Sequence, residues 1–461
     1  MEYDLIIIGW GASGFSAAIK ASEISSGEMR IALIGKGNMG GTCVNVGCVP
    51  SKFLIEKSLR VNDILHERNG VSRAELFSEV MKELRETVYK SRIGKYEDVI
   101  RNYKNVDLFN GNASFLDSKS VKVENGGKTQ VLKGSYIIIS TGSSPSIPQF
   151  INPDYVRTSE NFWNTEELPE RLAIIGGGPI GLEIGQAMRR FGTEVTIFEI
   201  ADEILPGYSK EVQSTARNIM ENDGIKILTS TKINRIISEN SKCIFFGNNK
   251  ECFDEILLAT GRYPNTASLN LQAAGVITDN NGFILTDNKM KTSAEGIFAA
   301  GDCVSGKLKL ETLSAREGVI AVENIFGYGK EIDFSTIPWA IFTVPNIAGV
   351  GIAENEAIQR GLIFDRRVID ASNAVRNSIS GNMYGFAKLL VDRNNRKIMG
   401  VEVISPEAAD FIVEGVYAIR FGLTVDDIID STHIFPSHSE IIKIAAQAFK
   451  RDISKMSCCM E

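Results

Sequence analysis

The stretch Tyr3–Ala21, YDLIIIGWGASGFSAAIKA, decides the fold. A β-rich apolar run feeds Gly9, Gly11 and Gly14, and small and apolar residues at helical spacing follow. Strand, then G-x-G-x-x-G, then helix is the context in which bare backbone approaches a pyrophosphate at a helix N-terminus. Ser13 sits inside that turn and joins the three glycines as a candidate dinucleotide-binding residue.

The pattern recurs in RLAIIGGGPIGLEIGQAMRRFGTEVTIFE, residues 171–199, with Gly176, Gly178 and Gly181 after the strand-like run 172–175. Its second strand, EVTIF, ends at Glu199, 18 residues past Gly181. A carboxylate there accepts hydrogen bonds from the ribose 2′- and 3′-hydroxyls and repels a 2′-phosphate, which favours NADH over NADPH. The first half lacks this acid, because its run RIALI is followed by Gly35 and Lys36. Its dinucleotide is expected to be held by phosphate contacts and by other parts of the chain. Two fingerprints imply two dinucleotides face to face, one resident and one exchanging. Three further strand-to-glycine stops support this: YIIISTG at Gly142, EILLATG at Gly261 and GIFAAGD at Asp302. Each reads as a buried strand that ends beside a ligand.

Composition narrows the function classes. A chain of 461 residues, 43% hydrophobic and 23% charged, has room for two to four cores. A net charge of −7 argues against a sequence-independent grip on nucleic acid. The chain runs from Tyr3 directly into a strand, without the regions of a secretory signal, and no stretch approaches a membrane span. A cytoplasmic location and no membrane partner are the expectations. Seven cysteines, an odd number without a secretory signal, point to reduced, metal-bound or catalytic thiols.

Two of them crowd into GGTCVNVGCVPSK, residues 40–52. In a regular helix, Cα atoms five apart lie roughly 8–9 Å from each other, beyond the about 7 Å reach of a disulfide. A bridge between Cys43 and Cys48 therefore needs a distorted turn, which Gly47 permits, and Pro50 removes one amide donor where the helix re-forms. A thiolate near a helix N-terminus has a lowered pKa and is both nucleophile and soft metal ligand.

Taken in order, GxGxxG, GGTCVNVGCVPSK, the second GxGxxG, ATGRYPN and AAGDC resemble the FAD-dependent pyridine nucleotide–disulfide oxidoreductases over nearly the whole chain. The resemblance implies an α/β fold with two Rossmann-like dinucleotide-binding domains and a C-terminal α+β dimerisation domain. Residues 1–147 and 265–333 would bind FAD, 148–264 NADH or NADPH, and 334–449 would dimerise, leaving 450–461 as a flexible tail. Cys48 would lie against the flavin and Cys43 would be the outer, interchange thiol. Lys52 and Glu183 would form an ion pair beside flavin N5, with Gly41 and Thr42 among the cofactor-binding residues. The helix expected over 311–327 would turn its positive end toward the reduced flavin. A homodimer with active sites at the interface follows.

The tail KRDISKMSCCME selects a branch. Vicinal Cys458 and Cys459 on a tether can hold a thiophilic ion and pass it to another dithiol by stepwise ligand exchange. With CVNVGCVPSK, this layout resembles the branch that reduces Hg(II), whose tail cysteines deliver metal to the Cys43–Cys48 position of the opposite subunit. Cys43, Cys48, Cys458 and Cys459 are then the metal ligands. In THIFPSHSEIIKIAAQAF, dithiol-reducing members resemble one another in a histidine five residues before a glutamate; here Phe435 precedes Glu440. Phenylalanine transfers no proton, and a metal dithiolate needs no such base. His433 and His438 are read as loop and first-turn surface residues, and Ser437-x-x-Glu440 as a capping box. Ser437 departs from that branch, which has tyrosine after the Phe-Pro. Also missing is the branch's occasional N-terminal metal-binding domain, so the catalytic core is expected to begin at residue 1. Cys243, Cys252 and Cys303 are expected to be buried structural thiols. The alternatives are a dihydrolipoamide dehydrogenase-like enzyme and a non-catalytic protein that sequesters soft metals.

Overall fold

The apolar run of the first fingerprint forms β1 (Glu2–Ile8), where Leu5, Ile6 and Ile7 are fully buried. Such a continuous run suits a strand covered on both faces. β1 leads through α1 (Ala12–Ile24) to β2 (Ile31–Gly35), its parallel neighbour. On its other side β1 pairs in parallel with the end of the long strand Lys128–Ile139. Val106–Asn110 and Ile297–Ala299 extend the parallel sheet beyond these. The first half of Lys128–Ile139 pairs antiparallel with Ser120–Asn125, which continues to Asn112–Phe115. After β2 come α2 (Gly41–Val46) and α3 (Cys48–Leu59).

These elements belong to the first of two units, Met1–Leu168 with Leu257–Ile332; the second is Pro169–Ile256 with Asp333–Glu461. This computed structural model describes residues 1–68, 70–239, 241–306, 308–381 and 384–455. Within the first unit the helix Glu311–Ile325 crosses α1 at close range. A Cβ on Gly318 would stand 2.2 Å from the Ser13 carbonyl oxygen, so only glycine permits the crossing.

In the second unit the later fingerprint builds β3 (Arg171–Ile175), α4 (Pro179–Phe191) and β4 (Glu194–Phe198), with β4 parallel to both β3 and Lys226–Leu228. Three antiparallel strands follow, Ile233–Ser238, Lys242–Phe246 and Asn249–Phe253. Phe246 and Phe253 set their rings edge-on against Phe198, 5.1 and 5.9 Å between centroids. Here the expectation of separate buried thiols is corrected: Cys243 and Cys252 form a disulfide. They stand directly opposite each other on adjacent strands, with Cα atoms 4.0 Å apart. Cys303 is buried and free, as expected, and burial pushes its thiol up to about 11.

The rest of the second unit is a five-stranded antiparallel sheet ordered Trp339–Ile341, Asn346–Gly351, Ile398–Ser405, Phe386–Asp392, Phe364–Asp370. Helices Val413–Arg420 and Glu440–Gln447 cover it through a shared aliphatic core. The fold class is thus the one read from the sequence, two Rossmann-like parts and a C-terminal α+β part. No helix among the described residues is long and apolar enough to cross a membrane.

One buried charge stands inside this second unit. Lys388, with no exposed side-chain surface, places Nζ 2.7 Å from Glu354, 3.0 Å from Glu211 and 3.5 Å from Glu402. Arg366 bridges Glu211 and Glu354, and Ser209 Oγ donates to Glu402 at 2.7 Å. Burial acts against the charged form of Lys388, but the carboxylates outweigh it and raise its pKa. Lys388→Met keeps the volume and leaves three crowded carboxylates without their central cation. Removing one member of a buried ionic cluster costs roughly 3–5 kcal/mol, so urea denaturation of this variant is expected to show a loss of that order.

Candidate functional site

The first unit holds a cavity of about 880 Å³ at the C-terminal ends of β1, β2 and the strand Ile297–Ala299, where open α/β sheets bind ligands. The first fingerprint forms one wall. Gly9 has φ +117°, and a Cβ there would lie 2.0 Å from the Ser140 carbonyl oxygen. A Cβ on Gly14 would lie 1.9 Å from the Gly9 oxygen, so the start of α1 can approach the end of β1 only without side chains. Gly11 caps α1 and Gly41, at φ +63°, packs against it, with Thr42 next along the lining. Ser13 Oγ is buried and meets no hydrogen-bond partner. An unpaired hydroxyl in the first turn of a helix, beside a side-chain-free wall, fits the pyrophosphate of a dinucleotide.

Gly142 and Asp302 line the same cavity. Asp302 Oδ2 accepts from Ser143 Oγ at 2.9 Å and lies 3.9 Å from Arg262 Nε. Gly261 is not in the lining; its left-handed turn, φ +100°, leads to Tyr263 and Asn265, which are. The absence of an acid at Gly35 has a steric cause. A Cβ there would sit 1.9 Å from the Trp10 ring.

The cysteine pair occupies another part of the wall. α2 ends at Val46 and α3 begins at Cys48, so Gly47 alone makes the break. A Cβ on Gly47 would come within 2.9 Å of the Thr42 oxygen. Trp163 Nε1 donates to the Val46 carbonyl at 2.8 Å and satisfies an acceptor that the break would orphan. Asn45 Nδ2 donates to the Met39 and Gly41 carbonyls, pinning the start of α2. Both cysteines are free thiols, Cys43 half-buried and Cys48 exposed, and they share a side-chain hydrogen bond. That bond, then burial, then the charges of Cys48 and Glu311, drive the Cys43 pKa well above the usual thiol range. Cys48 is the first residue of α3, where the positive helix end favours a thiolate.

Sequence reasoning missed several neighbours. Glu311 opens the helix Glu311–Ile325 and lines the cavity; the signal was an acid in the first turn of a helix already expected there. Tyr96 lies in a single π-helical turn, Ile93–Glu97, its ring tilted against Phe15 with centroids 4.7 Å apart, and burial raises its pKa to about 12. Trp163 is more than a hundred residues from the break it supports, and no local pattern announces it.

Other expected site residues belong to the second unit. Gly176 has φ +114°, Gly178 caps α4, and a Cβ on Gly181 would lie 2.2 Å from the Gly176 oxygen, repeating the first fingerprint's geometry. Glu199 is buried at the end of β4, accepting from the Gly177 N–H at 2.7 Å and the Ala201 N–H at 2.8 Å. Glu183 Oε1 accepts from the Phe342 N–H at 2.9 Å in the second unit, and Lys52 lies on α3 in the first. The histidines are not the plain surface residues expected. His433 Nε2 is 3.2 Å from Glu414, which raises its pKa, and His438 Nδ1 is 2.7 Å from Asn377. Of the capping box, the Glu440 N–H reaches Ser437 Oγ at 3.3 Å, while Glu440 Oε2 is buried without a partner. Cys458 and Cys459 lie outside the described residues.

Residues 3–318 match the family described as pyridine nucleotide-disulphide oxidoreductase, and residues 337–446 match its dimerisation domain. A mercuric reductase of Lysinibacillus sphaericus is 36% identical over 478 residues, covering 99% of this chain and 84% of that protein. A dihydrolipoyl dehydrogenase of Chlamydia pneumoniae is 37% identical over 445 residues, covering 95% of each. A solved structure, the Cu(II) complex of the HOCl-induced flavoprotein disulfide reductase RclA from Escherichia coli, is similar at a TM-score of 0.87 and 26% identity, covering 98% of this chain and all of that one.

One carboxyl beside the cavity sets a pH dependence. Glu317 accepts from the Gly301 N–H at 2.6 Å, and burial raises its pKa to about 7. The unfolded chain ionises this group near the ordinary carboxyl value, about 4.3, so between there and pH 7 the folded state binds the extra proton. Stability from this group is full at low pH and declines as pH rises toward 7, by roughly 3–4 kcal/mol at most. Glu317→Gln keeps an acceptor for Gly301 and is expected to flatten the decline in thermal midpoint between pH 5 and 8.

Proposed function

We propose a specific reaction from one premise: the chain belongs to the pyridine nucleotide–disulphide oxidoreductase family. It is a flavoprotein oxidoreductase that uses FAD and a pyridine nucleotide. The reaction we assign is reduction of Hg(II) to Hg(0) with electrons from NADH or NADPH.

The observation that carries this reading is the hydrogen-bonded pair of Cys43 and Cys48 in the wall of the cavity. A two-sulfur clasp suits a soft cation. Phe435, where a proton-transferring histidine would stand, and the vicinal pair Cys458 and Cys459 support the same choice.

The first fingerprint, with Ser13, Gly41 and Thr42, would hold the FAD phosphates, and Lys52 would favour an electron-rich flavin. Bound FAD supplies the two-electron path between nicotinamide and metal. Glu199, fixed by two backbone donors, keeps lone pairs for the ribose hydroxyls of NADH. Cys458 and Cys459 of the partner subunit pass Hg(II) to Cys43 and Cys48 by ligand exchange. Two electrons reduce the metal, both Hg–S bonds break, and the sulfurs keep their electron pairs as thiolates. NADH leaves as NAD⁺ and a proton. A homodimer accords with the dimerisation domain and with its exposed apolar side chains, Ile434, Phe421 and Tyr417 among them.

A dihydrolipoyl dehydrogenase activity is the second reading, favoured by the Chlamydia relative and by the His433–Glu414 pair, an imidazole held ready to carry charge. Anaerobic NADH oxidation by the purified protein separates the two. The Hg(II) reading expects oxidation that depends on Hg(II) chelated by excess thiol, with Hg(0) released; lipoamide turnover without metal, and no response to Hg(II), overturns it. Cys48→Ser is expected to reduce the metal-dependent rate to background. Cys458→Ala with Cys459→Ala should impair it chiefly when competing thiol is in excess.

A further inference from the structure

In the first fingerprint the residue between Gly9 and Gly11 is Trp10, nine-tenths buried and part of the cavity lining. Its ring lies where a side chain at position 35 would stand: a Cβ on Gly35 would be 1.9 Å from Cδ2 and 2.3 Å from Cε2. The Trp10 carbonyl accepts from the Gly40 N–H at 3.0 Å, which anchors its backbone between the two segments. Tryptophan at 10 and glycine at 35 are thus one coupled choice. It removes the position from which dinucleotide folds of this kind present a ribose-binding carboxylate.

None of the cavity-lining residues of segments 8–13, 34–38 and 111–113 is acidic; Lys36, Asn38 and Asn112 are their charged and amide members. The acids of the lining, Glu160, Asp302 and Glu311, come from other segments. Meanwhile Trp10 Nε1 is buried and has no hydrogen-bond partner. A buried indole N–H normally finds an acceptor, and an orphan beside a ligand cavity calls for one from the ligand.

We infer that Trp10 replaces the missing acid, its Nε1–H donating to a ribose hydroxyl oxygen of the FAD adenosine. The inference rests on the first fingerprint holding FAD, as above. It inverts the usual polarity of that contact: the protein donates, and the ribose oxygen accepts.

The test titrates flavin-stripped protein with FAD, followed by quenching of flavin fluorescence. Trp10→Phe keeps a ring against Gly35 and removes only the donor; binding is expected to weaken about fivefold, the scale of one net hydrogen bond. Wild-type protein should likewise bind an FAD analogue lacking both adenosine ribose hydroxyls several-fold more weakly than FAD, a comparison that needs no variant to fold. Trp10→Phe should bind FAD and the analogue alike. Equal binding of FAD and analogue by wild type, or Trp10→Phe binding FAD as wild type does, overturns the assignment of Trp10 alone. A wild-type protein that takes up no FAD overturns the flavin reading and this inference together.

Discussion

Gly47 ends one helix and allows the next to begin, and that one-residue break governs the chemistry of the first unit. Without it, Cys43 and Cys48 would sit five positions apart on a continuous helix, too far apart for their sulfurs to share a proton or a metal. With it, the two thiols hydrogen-bond, and the second becomes the first residue of a helix. The break also divides the pair electrically. The hydrogen bond from Cys48, then burial and the neighbouring charges, raise the pKa of Cys43, while the positive end of α3 favours a thiolate at Cys48. Asn45 and Trp163 are the supports, holding backbone groups that the interruption leaves without helical partners.

Much of this was legible in the sequence because glycine has few other reasons to stand where it does. At Gly9, Gly14 and Gly181 the close approach of backbone to backbone leaves no room for a Cβ, so the spacing of glycines reports the contact directly. Gly47 could be named as the point of distortion for the same reason. What local patterns could not report were contacts made across the chain. Trp163 beneath the helix break and Tyr96 against Phe15 depend on how distant segments pack. The Cys243–Cys252 bridge was nearer to view, since the two cysteines flank a Gly-Asn turn at equal distance. A search for metal-ligand spacing passes over that signal; a search for cross-strand neighbours finds it.

The two fingerprints solve one problem in two ways. Each brings a helix N-terminus to the end of a strand, yet only the second ends its next strand with an acid. Glu199 can be buried there because two backbone N–H groups compensate its charge. In the first, the indole of Trp10 lies where a Cβ on residue 35 would stand, so the tryptophan and the glycine go together. A missing motif residue is therefore informative only together with the side chain that displaced it.

The same reasoning applies to Phe435 and Glu440. A glutamate whose usual companion is an imidazole would be expected to fail without it, because a buried, unpaired carboxylate is costly. At Glu440 burial acts against the charged form and raises the pKa, and Oε2 has no hydrogen-bond partner. His433, the nearby imidazole, is engaged by Glu414, and His438 by Asn377. What stands on either side of Phe435 in the sequence is thus two imidazoles already partnered and a carboxyl whose pKa burial raises.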